Sequence, residues 1–370
     1  MLTSDYLDTL DSNILKLYYQ FEDSVITDIS RRLGKMSFDS SAWQVQRLSE
    51  SGMLYEDILK KLEILTGKSE TELRKIFKDA GVKTMKFDDG LYAKAGLTTT
   101  PLNLSPAMSD VLTQGLAKTM GTLKNLTQST ALNSQQAFLD AVDQAYFEVS
   151  TGSMSYTQSI TDAVTRISDN GLQVINFAGH NDQVDVAVHR SVLTGVSQTA
   201  GELQISRMNE IGVDLVQTSA HIGARPSHQL WQGKIFSRSG TSKKYPPFVE
   251  STGYGTGPGL CGWNCRHSFF GFFEGLSQNA YDEATLNSYE KNTVIYQGKE
   301  ISAYEATQQQ RSIERSIRFW KRRESSLDAA GLIYTPEGTQ ALNKVSYYQK
   351  VMRGFVKETG LDRQRIREQL

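Results

Sequence analysis

The chain has 370 residues, of which 39% are hydrophobic and 22% charged, a composition typical of a globular protein with room for two or three domains. Its formal net charge of -1 at pH 7 excludes attraction of the whole chain to nucleic acid, so any contact with DNA must come from a local basic patch. Its two cysteines are too few for the disulfide framework of a secreted protein of this length.

The first residues indicate a soluble protein made in the cytoplasm. The segment MLTSDYLDTLDSN is acidic where a secretory signal needs basic residues followed by an apolar core. No apolar run approaches the roughly 20 residues that cross a bilayer, so we expect no membrane partner.

The N-terminal segment, residues 1–82, predicts a helical bundle. Apolar side chains recur at helical spacing over residues 12–33, and three further short helices are predicted, each ending at a glycine. These helices cover 42–51, 54–65 and 69–81 and stop at Gly52, Gly67 and Gly81. Residues 83–104, with charges, glycines and a threonine run, are predicted to be a connector.

A long-helix region is predicted for residues 105–211. Ser105 and Pro106 place a cap before a proline at the first helical position. Helices are expected near 106–126, 134–150 and 155–169, and a longer one over 182–209.

Residues 212–300 predict a small β-rich module. Strand-like alternation covers 213–219 and 231–236, and Val294-Ile295-Tyr296 indicates a later strand. Glycines and prolines between 246 and 259 indicate a loop.

The C-terminal segment, residues 301–370, predicts two helices near 303–327 and 339–359. The expected fold class is therefore α+β: mostly helical, with one small β-rich module near the C-terminal third followed by helices.

The β-rich module holds the residues with metal-ligand chemistry. A tetrahedral zinc site takes four cysteine or histidine ligands, usually contributed as two pairs. The alternative interpretation is structural, with the thiols as small buried hydrophobes and the histidines as hydrogen-bonded supports beside Trp231 and Trp263. The candidate ligands are His221, His228, Cys261, Cys265 and His267.

Three enzymatic signatures fit this stretch poorly. A nucleobase deaminase needs His-x-Glu, whereas Ile222 and Gly223 follow His221. The papain-type order Cys-Gly-Ser-Cys-Trp differs from CGWNC, and no histidine follows His267. The glycine-rich run at 253–259 does not lead into a helix start that would bind phosphate. We therefore expect no enzyme.

The helix predicted near 303–327 carries a basic cluster, in which six basic residues accompany one acid, Glu314. If its apolar stripe packs inward, the arginines turn outward as one positive surface that contacts DNA phosphates or an acidic partner. A plain solvated face is the alternative. The basic cluster comprises Arg311, Arg315, Arg318, Lys321, Arg322 and Arg323.

Two regions near opposite ends of the chain resemble one family. SAHIGARPSHQLWQGKIF, YPPFVESTGYG and GLCGWNCRHSF are similar to the C-terminal module of tailed-phage minor capsid proteins, the minor capsid protein 2 family. That group is similar to head-morphogenesis proteins of the phage Mu protein F type. LYYQFEDSVITDISRRL, SSAWQVQRLSESG and ILKKLEILTGKSETELRKIFKDAG match the same family in the same order. The resemblance covers most of the chain.

The resemblance implies a structural protein of the virion, made in the host cytoplasm and placed inside the head near the portal vertex. Its implied partners are the portal protein, then the scaffold or major capsid protein, and packaged DNA bound without sequence preference. Its implied role is to assist head assembly or DNA packaging and retention. The alternative is a metal-dependent enzyme acting on nucleic acid through the histidines and cysteines, with zinc as the candidate cofactor. No Glu or Asp lies in a recognised motif there, which favours the structural role.

Overall fold

A computed structural model describes residues 1–38, 42–175 and 181–370, and the described chain is a mostly helical α+β fold, as predicted. None of the described helices combines the length and apolar character that a membrane span needs. The helices are α1 (Ser4–Thr9), α2 (Ser12–Leu33), α3 (Ala42–Lys94), α4 (Pro106–Ser150), α5 (Tyr156–Asn170), α6 (Val184–Ile211), α7 (Pro226–Gln229), α8 (Phe248–Thr252), α9 (Glu283–Glu290), α10 (Ala303–Ala329) and α11 (Pro336–Thr359). The strands are β1 (Gln173–Ile175), β2 (Asn181–Gln183), β3 (Leu215–Thr218), β4 (Ile235–Ser237), β5 (Phe269–Gly271), β6 (Thr293–Tyr296) and β7 (Lys299–Ser302).

The chain divides into two compact units, each assembled from three separate segments. The first unit comprises Met1–Asn13, Glu70–Thr122 and His189–Thr307, and the second comprises Ile14–Ser69, Leu123–Val188 and Gln308–Leu370. The candidate metal ligands therefore belong to the first unit, and the basic cluster belongs to the second.

The main sheet of the first unit is antiparallel, with strand order β4-β3-β5. Its central strand pairs Val216 with Phe236 on one side and with Gly271 on the other. Strands of three or four residues form few ladder hydrogen bonds, so the sheet depends on the apolar cluster beneath it. That cluster contains Tyr92, Met208, Val213, Val216, Trp231, Phe236, Phe248, Leu260, Cys261, Cys265 and Phe269.

Helices α4 and α6 approach each other closely in the first unit, at two glycines. A Cβ atom added to Gly115 of α4 would lie 2.0 Å from Thr199 Oγ1 of α6. A Cβ atom added to Gly195 of α6 would lie 2.1 Å from Thr119 Oγ1 of α4. Because real Cβ contacts are longer than this, only glycine allows the two helices to pack at this distance.

A buried ion pair joins three elements of the second unit. Glu22 of α2 accepts hydrogen bonds from the Leu172 N–H, at 3.0 Å, and from Arg322 Nη1 of α10, at 3.1 Å. Arg322 Nε also donates to the carbonyl of Ser168 in α5, at 2.5 Å. One arginine of α10 thus holds the end of α5 against α2.

The predicted helix ends at Gly52, Gly67 and Gly81 are wrong, because α3 continues through all three glycines. A glycine costs a helix interior only about 1 kcal/mol. Burial of an apolar stripe that stays in register on both sides of Gly67 outweighs that cost. The stripe contains Leu54, Ile58, Leu62, Leu65, Leu73, Ile76 and Ala80. Since α3 ends at Lys94, the first part of the predicted connector at 83–104 is also helical.

Two other predicted boundaries change for related reasons. The helices predicted near 106–126 and 134–150 are one helix, α4, which buries Leu126 and Ala131 across the expected break. The strand predicted over 231–236 is shortened to β4, since the Trp231 N–H donates to the His228 carbonyl in a turn, at 3.3 Å. Other predicted elements are confirmed to within a few residues, namely α2, α5, α6, β3, β6, α10 and α11.

Candidate metal centre

Three candidate ligands come from two short pieces of the first unit. His228 lies in α7, where Pro226 occupies the first helical position. Cys265 and His267 lie in the long loop that joins α8 to β5. The loop folds back on itself, since the Trp263 N–H donates to the Gly257 carbonyl at 2.6 Å.

The backbone of this loop leaves little room for other residues. A Cβ atom added to Gly262 would lie 2.1 Å from the Gly257 carbonyl oxygen, so this position requires glycine. Cys261 and Asn264 have left-handed backbone angles, with φ of 60° and 54°. Asparagine tolerates this conformation, whereas for cysteine it costs on the order of 1–2 kcal/mol. Surrounding contacts must offset that strain.

The ligand atoms of His228, Cys265 and His267 converge on one point. Cys265 Sγ lies 3.8 Å from His228 Nδ1 and 3.7 Å from His267 Nδ1. All three ligand atoms lie within 4.8 Å of one another. The side chains are buried, with only 2%, 1% and 1% of their surface exposed. We call these three residues the triad.

The outer nitrogens of both histidines are hydrogen-bonded, which determines their tautomers. His228 Nε2 lies 3.0 Å from the Pro258 carbonyl, which can only accept, so this nitrogen carries the proton. His267 Nε2 lies 3.1 Å from Gln232 Oε1, which also accepts the His221 N–H at 3.2 Å. Both Nδ1 atoms are therefore unprotonated, and their lone pairs face Cys265 Sγ.

Burial sets the protonation of the triad. Loss of water lowers the pKa of His228 to about 4 and that of His267 well below the ordinary histidine value. The same loss of water raises the pKa of Cys265 and of Cys261. At neutral pH both imidazoles are thus neutral, the state in which histidine binds metals.

The two remaining candidate ligands lie close to the triad but outside it. The His221 ring lies 4.3 Å from the His267 ring between centroids, and its Nδ1 lies 3.0 Å from the Ile222 carbonyl. Cys261 Sγ points to the His267 carbonyl, at 3.8 Å, within the apolar cluster.

Gln232 and Pro258 orient the histidines, and neither was identified from the sequence. A side-chain amide and a main-chain carbonyl are present in every protein, so they carry no spacing signal. Trp231 lies as expected, with its ring 4.6 Å from His228 and 4.8 Å from His267 between centroids. Trp263 instead has 56% of its surface exposed.

The basic cluster of α10 is largely turned toward acids and carbonyls of its own unit. Arg318 Nη2 lies 2.7 Å from Asp185 Oδ2, and Arg323 Nε lies 2.9 Å from Asp169 Oδ1. Arg322 pairs with Glu22 as described above, and Lys321 Nζ donates to the Glu368 carbonyl at 2.8 Å.

The prediction that the arginines turn outward as one positive surface is therefore wrong for Arg318, Arg322 and Arg323. The apolar stripe of α10 is buried as expected, with Ile313 and Ile317 in the core. Helix α10 packs on a broader face than this stripe, however, so the arginines beside it meet carboxylates within the unit. Arg315 is exposed, as predicted.

Among known proteins, a family model and a phage structural protein each match most of the chain. A family model described as Phage minor capsid protein 2 matches residues 2–357. A structural protein of Lactococcus phage LL-H is 23% identical over a 340-residue alignment, which covers 88% of this chain and 88% of that protein. A structural protein of Lactococcus phage mv4 is 31% identical over 128 residues, which are 34% of this chain and 93% of that protein. No solved structure matches the chain significantly.

Proposed function

Because this chain belongs to the phage minor capsid protein 2 family, we propose that it lies inside the head beside the portal and assists head assembly and DNA retention without chemical turnover. The observation that carries this proposal is the extent of the match. Residues 2–357 include nearly all of both compact units. The role therefore belongs to the whole chain and not to one module of it.

The burial of the triad supports a structural role over the alternative, a metal-dependent enzyme acting on nucleic acid. A catalytic metal keeps one ligand position open to substrate. The three side chains of the triad are at most 2% exposed, so a nucleic acid strand has no access to them. Glu274, an acid that follows the triad closely in the sequence, is instead paired with Lys244.

Quantitative mass spectrometry of purified particles tests the location. We expect the chain in mature virions, at a copy number far below that of the major capsid protein. Cross-linking before digestion should join it to the portal protein. Virions that lack the chain would contradict the proposal, and virions with cross-links only to tail proteins would contradict the portal position.

A phage in which the gene is interrupted tests the role in assembly. We expect fewer DNA-filled heads by electron microscopy, with recovery when the wild-type chain is supplied in trans. Normal numbers of stable, filled heads would exclude a role in assembly or retention.

A DNA contact would come from the exposed bases that remain in the C-terminal helices. Lys350, Arg353 and Lys357 of α11 are exposed and recur at helical spacing on one face. We propose that this face contacts packaged DNA through phosphates, without reading sequence.

Binding to duplex DNA should weaken steeply with salt, because each phosphate contact releases counterions. The variant Lys350→Glu/Arg353→Glu should weaken it further. The control Lys60→Glu/Lys75→Glu, on exposed residues of α3, makes the same change in net charge. Equal loss in both variants, or binding that ignores salt, would show that the α11 face does not contact DNA.

A further inference from the structure

We propose that the triad of His228, Cys265 and His267 binds a zinc ion, with His221 as the fourth ligand, and that this ion stabilises the fold of the first compact unit. The ion would join α7 to the loop before β5. Since His228 and Cys265 are 37 positions apart, it would close a long stretch of chain.

The two sulfur–nitrogen distances within the triad are close to those of a tetrahedral site. Zinc lies roughly 2.3 Å from a thiolate sulfur and about 2.0–2.1 Å from an imidazole nitrogen. At a tetrahedral angle these bond lengths separate sulfur from nitrogen by roughly 3.6 Å. The observed separations from Cys265 Sγ are 3.8 Å to His228 Nδ1 and 3.7 Å to His267 Nδ1. An ion can therefore enter with shifts of a few tenths of an ångström at the sulfur.

The hydrogen bonds within the triad do not satisfy it. Both Nδ1 atoms present lone pairs, because Pro258 and Gln232 accept from the opposite nitrogens. A cysteine thiol has one proton and can donate to only one of these two lone pairs. A buried acceptor left without a donor is destabilising. A cation between the three atoms would satisfy both nitrogens and the sulfur together.

The surrounding groups are arranged as around bound metals. Metal-bound histidines characteristically donate their second N–H to a carbonyl or carboxylate, which orients the ring. His228 and His267 both do so. The main-chain N–H of His267 donates to Cys265 Sγ at 3.4 Å, where it would stabilise the negative charge of a thiolate.

His221 is the candidate fourth ligand because one of its nitrogens is buried and unused. Its Nδ1 lies against the Ile222 carbonyl, whereas its Nε2 is buried with no hydrogen-bond partner among the described residues. Its ring already packs on His267. Gly223, in a left-handed conformation at φ 75°, follows two residues later and gives this turn the freedom to adjust.

The donor set favours zinc. Three imidazoles and one thiolate match the nitrogen and sulfur ligands of structural zinc sites, whereas calcium and magnesium prefer oxygen. The burial of the triad suits a structural ion, because a structural site has no coordination position open to substrate.

Metal analysis of the full chain, purified without chelators, is the first test. We expect about one equivalent of zinc. Replacement by cobalt(II) should give the visible bands of tetrahedral coordination and a thiolate charge-transfer band. A chain that carries no zinc and shows no tetrahedral cobalt spectrum would overturn the proposal.

Cys261 provides a matched control for the sulfur ligand. It is buried in the same loop, four residues before Cys265, but its Sγ points to a carbonyl and lies outside the triad. Cys265→Ser should abolish the charge-transfer band and lower metal affinity at least tenfold, whereas Cys261→Ser should keep both. Loss of the band in Cys261→Ser but not in Cys265→Ser would overturn the assignment.

Two further measurements test the site even if the Cys265→Ser variant fails to fold. In the wild-type chain, chelation should lower the melting temperature, and added zinc, but not magnesium, should restore it. A melting temperature that chelation and zinc do not change would overturn the structural role. His221→Ala should retain the cobalt charge-transfer band but bind at least tenfold more weakly, and unchanged affinity would remove His221 from the site.

Discussion

Arg322 and Glu22 lie 300 positions apart in the sequence, yet they form one of the most buried ion pairs of the second unit. Burial raises the pKa of Glu22, while the Arg322 charge opposes that shift. An isolated carboxylate in this position would be strongly unfavourable, so the arginine is needed where the carboxylate is buried.

Truncation of Arg322 should therefore destabilise the second unit. We expect Arg322→Ala to lower the free energy of unfolding by roughly 3–5 kcal/mol, because Glu22 is left buried without its partner. Arg315→Ala, on the same helix but exposed, should change it by no more than about 0.5 kcal/mol. Urea denaturation of both variants measures the difference, and equal effects would contradict this account.

Glu314 should make the stability of the second unit depend on pH. Burial raises its pKa from 4.5 to about 7, although Arg367, Arg318 and Arg311 oppose the shift. The protonated form is thus favoured in the folded chain. Its contribution to stability is fully present below pH 4.5 and is lost as the pH rises through about 7.

The variant Glu314→Gln should remove this dependence. Relative to the wild type, we expect it to raise the free energy of unfolding at pH 8 by on the order of 1–3 kcal/mol, with a smaller difference at pH 5. The exposed Glu63→Gln serves as the control for loss of one charge. A gain that is larger at pH 5 than at pH 8 would have the wrong sign.

At the scale of elements, the long helices show how context changes the meaning of a glycine. Gly52 and Gly67 lie inside α3 and do not end it. A Cβ atom added to either would meet nothing within 4 Å, so neither glycine is needed for close packing against another element. Gly115 and Gly195 are also helical, but there the absence of a side chain permits α4 and α6 to approach. The same residue type is thus a tolerated cost in one helix and a packing requirement in another.

Substitutions at two glycines of α4, Gly115 and Gly121, test this difference. We expect Gly115→Ala to destabilise the chain by roughly 1–3 kcal/mol, since the new methyl group overlaps Thr199. Gly121→Ala has open space and should stabilise it by about 0.5–1 kcal/mol through helix propensity. Thermal unfolding of the two variants should move in opposite directions. Shifts of the same sign would contradict the packing described for this crossing.

At the scale of the whole molecule, each compact unit gathers segments that are distant in the sequence. The first unit takes the triad and the β4-β3-β5 sheet, and the second takes α2, α5 and most of α10. Each unit has its own buried polar centre, the triad in the first and the Glu22–Arg322 pair in the second.

Hydrogen exchange measured by mass spectrometry should separate these two centres. If zinc holds the triad, chelation should speed exchange in β3, β5 and the loop before β5, because bound metal stabilises only the folded state. Exchange in α2 and α5 should stay as it was. Arg322→Ala should instead speed exchange in α2 and α5 and leave exchange in β3, β5 and the loop before β5 unchanged. Equal acceleration of all segments after chelation would contradict a local role for the ion.

The sequence predicted local features well where the cause is local. The predicted start of α4 is confirmed, because Ser105 Oγ accepts the Met108 N–H at 3.4 Å and Pro106 is the first helical residue. Helix α11 ends at Thr359, as predicted, and Gly360 follows it in a left-handed conformation. The His and Cys residues were recognised as metal-ligand chemistry from their types. Which three of the five would converge was not predictable, because this depends on how the loop at 253–268 folds back.

By itself, the sequence determined the family, the α+β class and most helices, and it named the candidate metal ligands. The family follows from the resemblance of its motifs, whereas the fold class and the helices follow from residue type and periodicity, which act within a few turns of chain. Only the tertiary structure decided that α3 and α4 pass through their glycines, that Arg318, Arg322 and Arg323 face acids, and that Cys261 stands apart from Cys265. The physical reason is that burial and charge pairing join residues up to 300 positions apart, and no local pattern records such contacts.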